Sequence, residues 1–160
     1  MEDRVNLGKA SPVMYKSVVQ LDCIATQFIE EAGINEGFSH LLKLRASQIN
    51  QCAFCIRLHS KDAADSGEPI ERISLVSAWR ESLYFDNKEK AALDLLESIT
   101  LISKGQVPES VYRAATKVLT KPQIAAVEWL SIVINAWNRL AISSRYPVLP
   151  ANPDLNLQFT

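Results

Sequence analysis

The chain has 160 residues, 48% of them hydrophobic and 22% charged. That is an ordinary globular composition, long enough to bury a core without metal or disulfide staples. A formal net charge of -1 leaves no electrostatic footprint for nucleic acid or an anionic membrane surface.

Helix signals recur along the chain and strand signals hardly appear. Ser11-Pro12 reads as a cap followed by proline at the first helical position. Met14, Val18, Leu21, Ala25 and Phe28 then recur at helical spacing, with Ile24 and Ile29 beside them, and Gly33 is the stop. A second helix is predicted over Glu36 to Ile49, with Phe38, Leu41, Leu42, Leu44 and Ile49 inward. Asn50 reads as the N-cap of a third helix, from Gln51 to about Asp65, ended by Gly67. Pro69 opens a shorter segment through Ile70, Ile73, Leu75 and Val76 to Trp79, and a surface connection follows from Arg80 to Asn87.

Asp86 with Glu89 forms a capping-box pattern before a helix that turns Ala92, Leu95, Leu96 and Ile99 inward and runs to about Ser103. Gly105 breaks that helix, and Pro108 starts another to about Leu119. Thr120 with Gln123 opens the longest helix, to about Ser143, with Ile124, Val127, Leu130, Ile134, Trp137 and Ala141 on one side. Ile132, Val133 and Ala136 fill its other sides, so it belongs in a core or a subunit interface. A polar line of Glu128, Ser131, Asn135 and Asn138 on this helix faces solvent, helix ends in the core, or an active site. The pattern predicts one all-α domain, a bundle of about six or seven helices, over residues 1–160. Its core covers about 11–147, and an irregular Pro- and Asn-rich tail follows over 148–160.

Cysteine usage narrows the chemistry. The three cysteines are too few for a secreted scaffold, Met1 to Ala10 is polar, and the longest apolar run is cut by Asn135, Asn138 and Arg139. The expectation is a cytoplasmic, reducing compartment with no membrane span. There, a close cysteine pair is redox-active or metal-binding more often than structural. Cys52, Cys55 and His59 stand at i, i+3 and i+7 and share one helix face, with Cys55 and His59 as i, i+4 neighbours. Such a pair at a helix start can pass between dithiol and disulfide, and an adjacent imidazole can take the thiol proton. Cys52, near the helix N-terminus, is favoured as a thiolate by the dipole. A Cys3His zinc site from Cys23, Cys52, Cys55 and His59 is the rival reading, and inert buried cysteines are another, the expected state of Cys23.

The run Leu44-Arg45-Ala46-Ser47-Gln48-Ile49-Asn50-Gln51-Cys52-Ala53-Phe54-Cys55, then His59-Ser60-Lys61, resembles the carboxymuconolactone decarboxylase-like superfamily, in its alkyl hydroperoxidase D-like branch. The likeness extends through Trp79-Arg80-Glu81, the helix from Ala91 to Thr100, and Ile134-Asn135-Ala136-Trp137-Asn138-Arg139. It implies an all-helical fold assembling as a homo-oligomer (trimer, dimer or hexamer). It also implies a thiol-dependent peroxidase cycle without haem, flavin or metal, fed by a small hydroperoxide and a thiol or dithiol reductant protein. Carried over, Cys55 is peroxidatic, Cys52 resolving and His59 part of the proton relay; the dipole consideration ranks the cysteines the other way. His40 stands where the family commonly has a relay glutamate, Gln51 where it often has glycine, and Phe54 where the best-known peroxidases have histidine. A non-peroxidatic redox sensor or disulfide oxidoreductase is the first alternative. A decarboxylase-type enzyme using His59 and His40 as acid-base groups is the second.

Overall fold

The computed structural model describes residues 4–150. Among them it is all helical: α1 (Leu7–Ala10), α2 (Pro12–Glu31), α3 (Glu36–Ile49), α4 (Ala53–Asp65), α5 (Ile70–Leu75) with a 3-10 turn at Val76–Ala78, α6 (Asn87–Thr100), α7 (Ile102–Gly105), α8 (Glu109–Val118) and α9 (Lys121–Ser143). The greater part of the expected irregular tail, 151–160, lies outside the described residues. Among the described residues no helix is long and apolar enough to cross a membrane.

There are nine α-helices among the described residues, against the six or seven expected, and all the extra ones are short. The α1 turn is nucleated by the Asn6 side chain, which accepts from the Lys9 N–H, while Ser144 Oγ accepts from the Leu7 N–H. Leu101 leaves helical geometry (φ -97°, ψ 30°) and cuts the predicted segment to Ser103 into α6 and α7. Both predicted capping boxes form, at Asp86 with Glu89 and Thr120 with Gln123. Gly33 and Gly67 take the left-handed conformation that ends α2 and α4 (φ 75° and 87°).

The core sits around α3, whose Leu41, Leu42, Leu44 and Ala46 are fully buried between α4, α6 and α9. Leu93, Leu95 and Leu96 of α6 and Val127, Leu130 and Ile134 of α9 close it. Helix α2 packs on α9 along one side, burying Ala25 and Ile29. Tyr15, Val18 and Phe28 are half-buried, while Val13, Met14, Leu21 and Ile24 stay exposed, as do Trp129, Ile132 and Ile142 on α9. The core expectation for Cys23 is corrected: it is a free cysteine on the uncovered side of α2.

One buried charge ties the core together. Glu97 on α6 accepts from Arg45 Nε of α3 at 2.6 Å, from Trp79 Nε1 at 2.9 Å, and from Arg80. Burial alone raises the Glu97 pKa, but these three donors outweigh it and hold the carboxyl below its ordinary range. Its contribution to stability is therefore present above the ordinary glutamate range, about 4.3, and is lost as the pH falls through its depressed folded value. Glu97→Gln, which leaves the buried donors facing a neutral amide, is expected to lower stability by about 3 kcal/mol near neutrality. Thermal melts of both proteins from pH 7 down to pH 3 check this: the gap must narrow on acidification, and a gap independent of pH would contradict it.

Candidate active site

The site is built on the reversal between α3 and α4. Gln51 sits in the left-handed region (φ 58°), the Cys52 N–H donates to the Ser47 carbonyl at 3.0 Å, and the Gln51 N–H donates to the Gln48 carbonyl at 3.1 Å. This is a helix C-terminal stop of the kind glycine usually makes, and it explains structurally why glycine suits this position. Asn50 is therefore the C-cap of α3, not the N-cap of the next helix as its residue type suggested. Its side-chain amide is drawn the other way, donating to Asn135 Oδ1 at 3.0 Å and Asn138 Oδ1 at 2.8 Å on α9. Asn138 Nδ2 returns a bond to Ser47 Oγ at 3.0 Å. The polar line on α9 thus binds a helix end from within the core, with Ser131, Asn135 and Asn138 buried and Glu128 partly exposed.

Cys52 becomes the N-cap of α4, outside the helix, and Cys55 sits in the first turn. The two form a disulfide with Cα atoms 5.4 Å apart, and both are buried with Ala141, Phe54 and Tyr146 around them. The sulfur pair is not symmetric. Cys55, with His59, lines a cavity of about 260 Å³ whose other walls include Tyr15, Asp22, Phe54, Leu58, Trp137 and Tyr146; Cys52 does not line it. Tyr15 packs edge-on to Trp137 at 5.4 Å, and Phe54 edge-on to Tyr146 at 5.2 Å. Burial pushes the Tyr146 phenol up, and the neighbouring Tyr15 adds to it.

His59, in the cavity wall, stacks on His40 behind it, with ring centroids 5.8 Å apart. Both Nδ1 atoms turn toward the same oxygen, Asp62 Oδ2, at 3.5 Å from His59 and 3.8 Å from His40. These separations are longer than good hydrogen bonds, and both buried Nδ1 atoms lack a partner. His59 holds the Asp62 carboxyl below its ordinary range against the effect of burial, with His40 adding. Burial, then the charge of Lys43, lowers the His40 pKa, partly opposed by Asp62. Lys43 is itself buried and lies 3.7 Å from Asp22.

Cys52, Cys55, His59 and His40 are thus brought into one region, with His40 joined to it through His59. The Cys3His set fails, because Cys23 is out on α2; the cluster of candidate ligands among the described residues is His40, His59 and Asp62. Asp62 escaped the sequence reading although it stands three residues after His59 and seven after Cys55, on their face. Tyr15 of α2, Trp137 of α9 and Tyr146 just after α9 arrive from far along the chain, and of these only Trp137 carried a sequence signal, as an inward residue of its helix.

Comparison with known proteins shows what the chain and its fold are similar to. The sequence profile described as "Carboxymuconolactone decarboxylase family" matches residues 20–98. The uncharacterized protein YdfG of Bacillus subtilis is 34% identical over 143 residues, spanning 89% of this chain and 95% of that one. A crystal structure of a protein of unknown function from Agrobacterium tumefaciens, provisionally described as the antioxidant defence protein AhpD, superposes with a TM-score of 0.81. It is 33% identical, over 92% of this chain and 100% of that one.

The reversal yields a paired prediction of opposite signs. Gln51→Gly removes the left-handed strain and is expected to stabilise by about 0.5–1 kcal/mol. Asn138→Ala removes one acceptor from the Asn50 amide and one donor to the Ser47 hydroxyl, which keep Asn135 Oδ1 and the Lys43 carbonyl, and is expected to destabilise by about 1–2 kcal/mol. Chemical denaturation of both variants tests the pair; a Gln51→Gly variant less stable than the parent would contradict the strain.

Proposed function

The chain belongs to the carboxymuconolactone decarboxylase family, and from that premise we propose that it is a thiol-dependent peroxidase of the alkyl hydroperoxidase D-like kind. The observation that carries this is the asymmetry of the cysteine pair: Cys55 lines an apolar cavity together with a histidine, while Cys52, bonded to it, does not line that cavity. In the reduced protein, His59 takes the Cys55 proton, oriented by Asp62 as the third member of a nucleophile–base–orienter set. The Cys55 thiolate attacks the distal oxygen of the hydroperoxide. The O–O bond breaks, the alkoxide leaves with a proton as alcohol, and Cys55 becomes a sulfenic acid. Cys52 attacks that sulfur, water leaves, and the disulfide forms. A dithiol protein restores both thiols and is itself oxidised, so the cycle balances without haem, flavin or metal.

The change of helix start bears on the order of the cysteines. With Cys52 at the N-cap of α4 and Cys55 in its first turn, both sit at the positive end of the helix dipole, so the dipole does not separate them, and cavity lining favours Cys55 as the peroxidatic residue. His40 extends the relay beyond His59 in place of the family glutamate. The cavity, lined by Phe54, Leu58 and Trp137, suits a hydroperoxide with an organic body. A cytoplasmic setting fits the need for a reducing partner.

Homo-oligomerisation is part of the proposal. Leu21 and Ile24 of α2 and Trp129 of α9 are all more than a third exposed and border one groove with Ala25 and Phe28, an apolar surface of the kind a second copy covers.

Two measurements check these statements. Cys55→Ser is expected to abolish consumption of an organic hydroperoxide, whereas Cys52→Ser consumes one equivalent and stops as a sulfenic acid that dimedone traps on Cys55. Trapping on Cys52 in the Cys55→Ser protein would reverse the roles. A disulfide that cycles with a dithiol donor while no variant or parent consumes peroxide would favour the disulfide oxidoreductase alternative. By sedimentation, the parent is expected at a multiple of the chain mass and Trp129→Glu at a smaller mass; a parent of single-chain mass would contradict assembly.

A further inference from the structure

We propose that His40, His59 and Asp62 form a binding site for a divalent transition-metal ion of the zinc class. Two imidazoles and a carboxylate are the donor types such ions take, three protein ligands with an open fourth position. One ligand atom from each residue lies within 4.8 Å of the other two. Zinc with nitrogen and oxygen ligands at about 2.0–2.2 Å needs donors about 3.3 Å apart in a tetrahedral site. The separations from Asp62 Oδ2 to the two Nδ1 atoms, 3.5 Å and 3.8 Å, are close to that, and the two imidazoles, within 4.8 Å of one another, close on an ion by side-chain rotation.

The independent observation is the state of the two nitrogens. His59 is 9% exposed, and neither its Nδ1 nor that of His40 has a hydrogen-bond partner among the described residues. Buried polar nitrogens are nearly always satisfied, so two orphans converging on one carboxylate oxygen call for a third party. An ion between them satisfies both at once. The scaffold is suited to hold it, because His40 is fixed on α3 and His59 and Asp62 on α4, two helices joined by the tight reversal and packed along their length. The Asp62 side chain is 31% exposed, which leaves water a path to the fourth position.

An ion held there takes Asp62 away from His59 and interrupts the relay drawn above. Binding itself does not depend on that relay, so the two ideas fail separately.

The test uses the full chain in its disulfide form, with Cys23 blocked by N-ethylmaleimide, so that no thiol can ligate. Titration with Zn2+ by calorimetry is expected to saturate at one ion per chain. His40→Ala and Asp62→Asn, each checked for helix content by circular dichroism, are expected to bind at least tenfold more weakly. Co2+ in the parent is expected to give the visible bands of a four-coordinate nitrogen and oxygen site without a thiolate charge-transfer band. No saturable binding by the parent would overturn the proposal. So would binding that both variants retain, which would place the ion elsewhere. If a variant loses its helix content, the parent's stoichiometry and the Co2+ spectrum still decide.

Discussion

The structure depends on the amide clasp between Asn50 and α9. Where Asn50 donates to Asn135 and Asn138, the chain must end α3, turn within Gln51 and Cys52, and start α4 back along α3. Without that clasp, nothing local compels a glutamine to adopt φ 58° at a cost of about 1 kcal/mol. A second stop of the same form ends α9, where Arg145 has φ 50° and the Tyr146 N–H reaches the Ala141 carbonyl at 3.0 Å. The glycine-bearing stops, at Gly33 and Gly67, are unstrained. Of the three non-glycine residues at positive φ among the described residues, Gln51 and Arg145 hand the chain directly to a residue packed at the disulfide, Cys52 and Tyr146, while the third, Gln106, ends α7. Two of the three strained positions thus flank the candidate site, where the surrounding bonds over-determine them.

The buried polar groups divide in a parallel way. The Glu97 cluster is saturated: each donor that faces the carboxylate is bonded to it, and it joins α3, α6 and the segment after α5. The three buried side-chain atoms without partners among the described residues are the Nδ1 atoms of His40 and His59 and Nε1 of Trp137. His59 and Trp137 line the cavity beside Cys55, and His40 stacks on His59. A satisfied network rigidifies, whereas an unsatisfied one is where ligands and protons have business. On the proposed function, the Glu97 cluster serves stability and the histidine cluster serves chemistry.

Much of this was legible in the sequence because it was local. Capping boxes at Asp86 and Thr120, stops at Gly33 and Gly67, and the i, i+4 register of Cys55 and His59 involve neighbours within two turns, whereas Cys52, expected inside the same helix, stands just outside it as the N-cap. Asn50 was misplaced because asparagine suits either end of a helix, and its partners lie 85 and 88 residues away. Cys23 was misplaced because periodicity gives the apolar face of a helix but not whether anything covers it. The burial of Glu97 was hidden for the same reason: its position on an amphipathic helix reads as polar until Arg45 and Trp79 arrive. The number of helices was undercounted where a single turn is also held from far along the chain, as the α1 turn is by Ser144.

The measurement that bears most directly on the central claim is the free-thiol count and intact mass of the reduced protein after one equivalent of an organic hydroperoxide. The account predicts rapid loss of two thiols, a mass lower by two hydrogens, and a peptide map that joins Cys52 to Cys55 and leaves Cys23 free. Thiols that remain reduced while the hydroperoxide persists would contradict it.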